Sequence, residues 1–510
     1  MSHNETKALT NTALADALYS SKSVREMDSL AINQQGIAGI LLMKRAGRAV
    51  LNELLETFGS PSLLTVFCGA GNNGGDGYIV AALAAAKKIP VRVLELGDSA
   101  KLSADAQLAR QFAKQSDVGC SPYSNTIDLD EGLIVDALLG TGYSGELRAA
   151  YAEAIALINA SSLPVVAVDI PSGLNADTGA VYQQAVRADM TITFIGAKQG
   201  LFTGQGPVFS GEVIYDSLDV AEIVFDGVEP SAQLLDLYSL MESLPELSID
   251  MYKTQRGHSM VIGGDLGFGG AACLAAEASL RVGSGMTSVA TKPEHVAAIL
   301  ARQPEIMVSG VVSGQELEPL LDRPSVLIVG PGMGRSPWSE QLLQKSFAAD
   351  RPLVLDADAL NMLAEGRVIP HSENVKLVLT PHAGEAARLL GVSVAEVQAD
   401  RFAAVRQLQE KYQAVVLLKG PGTLIAGPDQ MTKLCPYGNP AMATAGMGDL
   451  LSGIIGGLIA QGLDLQTAVE LGCCLHSCAA DMAVQAQGQR GLVATDLLPQ
   501  LRRLLNQEYL

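Results

Sequence analysis

An α/β protein of two three-layer αβα domains is the fold that the sequence predicts, and three observations carry it. Short β-rich runs alternate with helical patterns through both halves of the 510-residue chain. Those runs are almost continuously apolar, as in parallel strands covered by helices on both faces. A polar, Pro-containing stretch without a clear period, Leu244–His258, separates the halves, which places the domains at 1–243 and 244–510. Right-handed crossovers between successive strands then build a layered sheet in each half.

Taken in order, the first 60 residues read as helices over Ser23–Ile32 and Gly39–Thr57 that pack on the first domain. Strands follow at Leu63–Cys68, Val91–Leu96, Leu133–Asp136, Val165–Asp169, Met190–Phe194 and Glu212–Tyr215, with helices at Gly77–Lys88 and Ala149–Ile158 between them. The second half repeats the theme. Its strands are Ser259–Ile262, Thr287–Ala290, Val326–Val329, Leu353–Leu355, Leu377–Leu379 and Val415–Leu418; helical patterns run over Ala272–Val282, Leu450–Ala460 and Ala468–Ala483. The halves share an architecture but not their motifs, which gives internal duplication no support.

Composition narrows the function. With 48% hydrophobic and 17% charged residues the chain folds as a globular protein. A net charge of −19 argues against nucleic acid or an anionic membrane as partner. Anionic ligands must then be held by backbone N–H groups, helix ends and bound cations. Seven cysteines without framework spacing suit a reducing cytosol. Cys473, Cys474, His476 and Cys478 fall inside an apolar helical run, where cysteine packs as a small hydrophobe. The N-terminus lacks a basic region followed by an apolar stretch, and no apolar run approaches the roughly 20 residues that span a bilayer. A soluble, cytoplasmic protein is expected; apolar-rich halves fit a homo-oligomer.

The stretch Thr444–Gly453 (TAGMGDLLSG) carries the clearest chemistry. Unpaired amides at a glycine-rich helix start favour a phosphate. A carboxylate there, Asp449, is poorly placed to hold the phosphate but well placed to take a proton from a hydroxyl attacking a phosphoryl group. A tight turn with Asp449 as helix cap is the alternative. Leu418–Thr423 (LKGPGT) ends one strand and precedes another, which allows either a phosphate loop with Lys419 as its cation or a plain hairpin turn. Three more strand-end loops join them: Gly263–Ala272, Gly330–Gly334 and Thr380–Glu385, the last carrying His382.

In the first half, Gly69–Gly77 (GAGNNGGDG) follows a strand and opens a helix, where doubly wound folds bind nucleotides. Asp136 ends a strand and is followed by Gly140–Glu146 (GTGYSGE); Asp169 ends the next and is followed by Pro171-Ser172-Gly173. Strand carboxyl ends of one sheet converge, so these residues should be neighbours. Ordinary turn chemistry explains one such Asp, but two beside two glycine loops point to a site. Asn73, Asp136 and Ser172 offer oxygens, which suits a hard, weakly held cation.

These first-half motifs resemble the NAD(P)HX epimerase domain, which interconverts the R and S epimers of hydrated NADH and NADPH and uses potassium. The resemblance implies a Rossmann-like fold. It also implies hydrated-nucleotide contacts from Asn72, Asn73, Gly74, Gly75, Asp76, Gly140, Thr141, Gly142, Tyr143, Ser144, Gly145, Glu146, Tyr151 and Asp169. Asn73, Asp136 and Ser172 would hold potassium, and Asp169 would serve as acid/base. The second-half motifs, with Gly438–Asp449, resemble the ADP- or ATP-dependent NAD(P)HX dehydratase of the ribokinase-like superfamily. That implies nucleotide contacts from Lys419, Gly420, Pro421, Gly422, Thr423, Asn439, Thr444, Ala445, Gly446, Met447 and Gly448. It implies substrate contacts from Ala271, Gly332, His382 and Asp449, with release of AMP (from ADP) and phosphate. Ala441 stands where the family commonly has glycine. Magnesium is expected to accompany the phosphates, though its protein ligands are not evident in the sequence. A bifunctional repair enzyme is thus expected. The alternative is a sugar or vitamin kinase fused to a nucleotide-binding domain, which explains Asp449 but gives the first half no task.

Overall fold

A computed structural model describes residues 16–368, 376–428 and 430–506. The chain divides into two compact units, the first ending at Gln233 and the second beginning at Leu234.

In the first unit the short strand β1 (Ala17–Tyr19) precedes a seven-stranded sheet made of β2 (Leu64–Cys68), β3 (Val91–Glu95), β4 (Gly119–Pro122), β5 (Leu133–Ala137), β6 (Val165–Val168), β7 (Met190–Phe194) and β9 (Glu212–Asp216). The strand order is β4-β3-β2-β5-β6-β7-β9 and every pair is parallel. The order reverses beside β2, and there the glycine loop after β2 faces the loop after β5. Two further short strands, β8 (Ala197–Lys198) and β10 (Ala232–Leu234), pair with β1. The helices Ser21–Asn33 and Gly39–Phe58 send Val24, Met27, Val50 and Leu54 into the core beside this sheet, as the sequence predicts.

The second unit holds β11 (His258–Ile262), β12 (Met286–Thr291), β13 (Met307–Gly310), β14 (Val326–Val329), β15 (Leu353–Leu355), β16 (Leu377–Leu379), β17 (Val415–Leu418), β18 (Thr423–Ala426) and β19 (Thr432–Cys435). Their order is β13-β12-β11-β14-β15-β16-β17-β18-β19, parallel up to β17 and antiparallel beyond it. The helices Gly269–Val282 and Met447–Ala460 pack closely because the latter has no side chain where they cross. A Cβ on Gly453 would lie 2.1 Å from the Ala275 carbonyl oxygen, and one on Gly457 2.3 Å from Val282. Cys473 and Cys474, on the helix Leu465–Gln487, are buried among apolar neighbours.

All twelve strands expected from the sequence form, each end within one residue of expectation. The helices differ at their starts. Asn72–Ala86 begins five residues before the expected Gly77, and Met447–Ala460 begins three before Leu450. The glycines there are first-turn residues, not loop. A Cβ on Gly74 would lie 2.0 Å from the Gly69 carbonyl oxygen, and one on Gly77 2.7 Å from Ala137. Helix propensity disfavours these glycines; close packing of the helix start against the strand ends requires them.

Candidate active sites

In the first unit the ends of β2, β5 and β6 surround a cavity of about 660 Å³. Its wall contains Asn72, Asn73, Asp76, Gly140, Thr141, Gly142, Tyr143, Ser144, Glu146, Tyr151 and Asp169, as the sequence argument anticipates. Gly74 and Gly75 lie behind this wall, Gly75 against Met43, and Gly145 turns the loop with φ +91°. Asp169 closes β6 in a left-handed backbone conformation, φ +67°, which non-glycine residues rarely adopt outside strained or functional positions. The Phe194 amide and the Thr193 hydroxyl donate to its Oδ1 at 3.3 and 3.4 Å. The Lys198 ammonium also pairs with this oxygen.

Lys198 is 1% exposed, and its Nζ also donates to the Phe194 carbonyl at 3.0 Å. A buried ammonium persists only with such partners. Asp28, from the helix Ser21–Asn33, lines the same cavity. Burial pushes its carboxyl up to about 6, with Lys198 pulling it down and Asp169 pushing it up. Burial, then repulsion from Asp169 and Asp28, raises Asp76 well above its ordinary value. The site therefore joins a lysine–carboxylate pair to two carboxyl groups that burial makes harder to ionise, the kind of surroundings in which carboxyl groups exchange protons. Sequence reasoning missed Lys198 and Asp28. A lone lysine in the apolar run Phe194–Leu201 is a usable signal for the first; Asp28 looks like any polar residue of an amphipathic helix.

Beneath the cavity wall Asp136 is fully buried. Its Oδ1 accepts from the Ser172 hydroxyl at 2.6 Å and its Oδ2 from the Ser172 amide at 2.8 Å. Burial still pushes its carboxyl up to about 6, against those hydrogen bonds. Asn73 donates from Nδ2 to the Leu139 carbonyl at 3.0 Å, whereas its buried Oδ1 meets no donor. An orphaned amide oxygen beside a buried carboxylate and a serine hydroxyl fits a hard monovalent cation.

In the second unit the loop between β17 and β18 meets the start of the helix Met447–Ala460. A Cβ on Gly448 would lie 3.3 Å from Lys419 Nζ and 3.5 Å from Asp356 Oδ2. Lys419 is not the exposed lysine of a plain hairpin. Its ammonium lies 2.8 Å from Asp356 Oδ1 and 3.8 Å from Glu385 Oε2. Burial works to lower this amine, and Asp356 and Glu385 outweigh it, leaving it above its ordinary value. Asp449, in the first helical turn behind Gly446 with φ +89°, is pushed up to about 6, chiefly by burial and then by Asp356. The shift brings this carboxyl nearer to neutral pH, the range in which a general base works.

His382 caps the helix Ala383–Leu390: its Nδ1 accepts from the Gly384 amide at 2.9 Å, while Glu385 Oε2 accepts from the His382 amide at 2.8 Å. Ala271 and Gly332 are neighbours, since a Cβ on Gly332 would lie 3.0 Å from that of Ala271. Gly446 touches Leu274 of the helix that carries Ala271. Asn439 is oriented by Asp481, which accepts from its Nδ2 at 2.7 Å. Thr423 Oγ1 donates to the Gly420 carbonyl at 2.9 Å, which closes the loop Lys419–Thr423. Asp356 and Glu385 were not singled out from the sequence, although Asp356 directly follows β15 and carries the same strand-end signal as Asp136 and Asp169.

Fold and sites together define a two-unit α/β enzyme whose second unit is built for phosphoryl transfer. The family described as NAD(P)H-hydrate dehydratase matches residues 259–503, and that described as YjeF-related protein N-terminus matches residues 39–200. A bifunctional NAD(P)H-hydrate repair enzyme from Coxiella burnetii is 46% identical, covering 96% of this chain and 99% of that protein. Its counterpart from Escherichia coli is 38% identical, covering 97% and 95%. A solved ribokinase-like superfamily protein from Enterococcus faecalis is 28% identical over 54% of this chain and 96% of its own, with a TM-score of 0.50. The chain belongs to the bifunctional NAD(P)H-hydrate repair enzyme family.

Proposed function

We propose that residues 1–243 epimerise R- and S-NAD(P)HX and that residues 244–510 dehydrate the S-epimer at the expense of ADP or ATP. One observation carries the reading: each unit sets an acid/base carboxylate, Asp169 or Asp449, near a glycine-rich helix start and a lysine paired with a carboxylate. In the first unit a carboxyl proton assists departure of the C6 hydroxyl as water, pushed by the ring nitrogen. Water then adds from the opposite face and gives its proton back, with Asp169 as the group paired to Lys198.

In the second unit Asp449 accepts the proton of the C6 hydroxyl as its oxygen bonds to the terminal phosphorus. The bond to the AMP oxygen breaks when ADP is the donor. Amides of Gly446 to Gly448 and the Lys419 ammonium stabilise the charge on the transferring group. The ring nitrogen then expels phosphate, C5 loses a proton, and the reduced nicotinamide returns.

Asn73, Asp136 and Ser172 would hold potassium, which would neutralise Asp136 and tie the loops after β2, β5 and β6 together. Magnesium would arrive with the nucleotide, held chiefly by its phosphates. A cytoplasmic homo-oligomer completes the reading. It is supported by seven free cysteines and by the exposed Leu247, Ile249 and Tyr252. The test follows reduced-nicotinamide absorbance after racemic hydrated NADH and ADP meet the purified protein. Complete recovery is expected; recovery that stops when the S-epimer is exhausted would remove the epimerase, and phosphorylation of a sugar instead would favour a kinase.

A further inference from the structure

We propose that Arg401 is a positioning residue for nucleotide binding, turning the peptide after Lys419 so that the Gly420 amide faces the phosphates. The inference rests on the reading of Lys419–Thr423 as a phosphate loop. Arg401 opens the helix Arg401–Tyr412 and is fully buried. Its Nη2 donates to the Leu418 carbonyl at 3.1 Å; Nη1 and Nη2 reach the Lys419 carbonyl at 3.4 and 3.5 Å. Gln398 Oε1 lies 3.4 Å from Nη1. A cation buried this deeply is costly, and burial pulls its guanidinium down to about 10, which still leaves it charged at neutral pH. The carbonyls that compensate it belong to the end of β17, where the loop begins.

The planarity of the peptide supplies the rest. In a trans peptide the carbonyl and the following N–H point in opposite directions. A Lys419 carbonyl turned toward Arg401 therefore turns the Gly420 N–H away from it. Gly420 is exposed and has φ +144°, a conformation that side-chain-bearing residues resist. A Cβ there would lie 2.8 Å from Arg401 Nη1, so the glycine and the arginine are matched. The Leu418 carbonyl is anchored in the same way, while the Lys419 amide is already committed to the Pro381 carbonyl at 2.9 Å. Among the loop's first two amides, that of Gly420 is the one presented outward. It lies on the same loop as the Lys419 ammonium, which reaches Gly448 at the start of the helix Met447–Ala460.

The test uses the full-length protein, with ADP binding followed by calorimetry and both activities assayed. Arg401→Met keeps most of the volume and removes every donor; Arg401→Lys keeps the charge and one donor site. Arg401→Met should weaken ADP about tenfold or more, as the Gly420 amide loses its fixed orientation toward the phosphates. The KM for ADP should rise in parallel, while the KM for hydrated NADH and the epimerase turnover stay at wild-type values. Arg401→Lys should recover part of the loss, which a merely space-filling role would not produce. Wild-type ADP affinity in folded Arg401→Met would overturn the proposal. Failure of the wild-type protein to bind ADP would instead overturn the nucleotide reading beneath it. Should Arg401→Met not fold, Arg401→Lys decides: an ADP-selective loss with normal epimerisation supports the proposal, and wild-type ADP affinity sinks it.

Discussion

Asp449 in the first turn of a helix and Asp169 just after a strand are both carboxylates, yet their surroundings differ. Asp449 is raised to about 6 by burial and by Asp356, so it is unprotonated only above that pH. A base must be unprotonated to act, and dehydration should therefore rise with pH through about 6 and level off above it. A rate flat from about pH 5 to about pH 7 would remove Asp449 from that role. Asp449→Asn should lower NADH recovery by about 10²–10⁴-fold and leave epimerisation intact, measured on the same sample. In the first unit Lys198→Met strips Asp169 of its buried ammonium partner. Epimer exchange, followed by chromatography of the two epimers, should fall by a similar factor while dehydration of the pure S-epimer continues.

At the level of elements, the dehydratase site depends on how closely two helices approach. Gly453→Val places a branched side chain against the Ala275 carbonyl and should destabilise the second unit by about 1–3 kcal/mol or more. Thermal melting should show the loss, with dehydration falling alongside and epimerisation unchanged. The loops around Asp136 make a second case. Replacing sodium or choline by potassium should raise the melting temperature of the first unit and its epimerase rate; no response to potassium would contradict the oxygen set of Asn73, Asp136 and Ser172. These elements also show what sequence could reveal. Apolar strands and the glycines after them are local patterns, which is why β2, β5, β6, β14 and β15 were placed within a residue. The exposed edge strands β4 and β13 lack an apolar run and escaped notice. Asp28, Lys198, Asp356 and Arg401 act through partners far away in sequence, and no local pattern announces such a meeting. The helix starts were placed too late because packing overrides the low helix propensity of glycine.

For the whole molecule, the two units supply separate sites, and a single chain should complete the repair of a racemic mixture. Asp169→Asn should stop recovery once the S-epimer is consumed, and adding the Asp449→Asn protein should restart it. If the mixed variants fail to restart recovery although each keeps its remaining activity, the epimers do not exchange between molecules through solution.

The first-unit cavity has another consequence, and it concerns how fast ligands arrive. Asp28, Asp105, Glu146 and Asp169 line it against Arg25, Arg148 and Lys198, in a chain whose net charge is −19. A pyrophosphate-bearing substrate approaching this mouth is repelled at long range, although the amides inside favour it at contact. Added salt shortens the reach of the repulsion to about 8 Å at physiological ionic strength. Capture of the substrate should therefore quicken as salt is raised from low values, the reverse of the behaviour of a basic phosphate-binding protein.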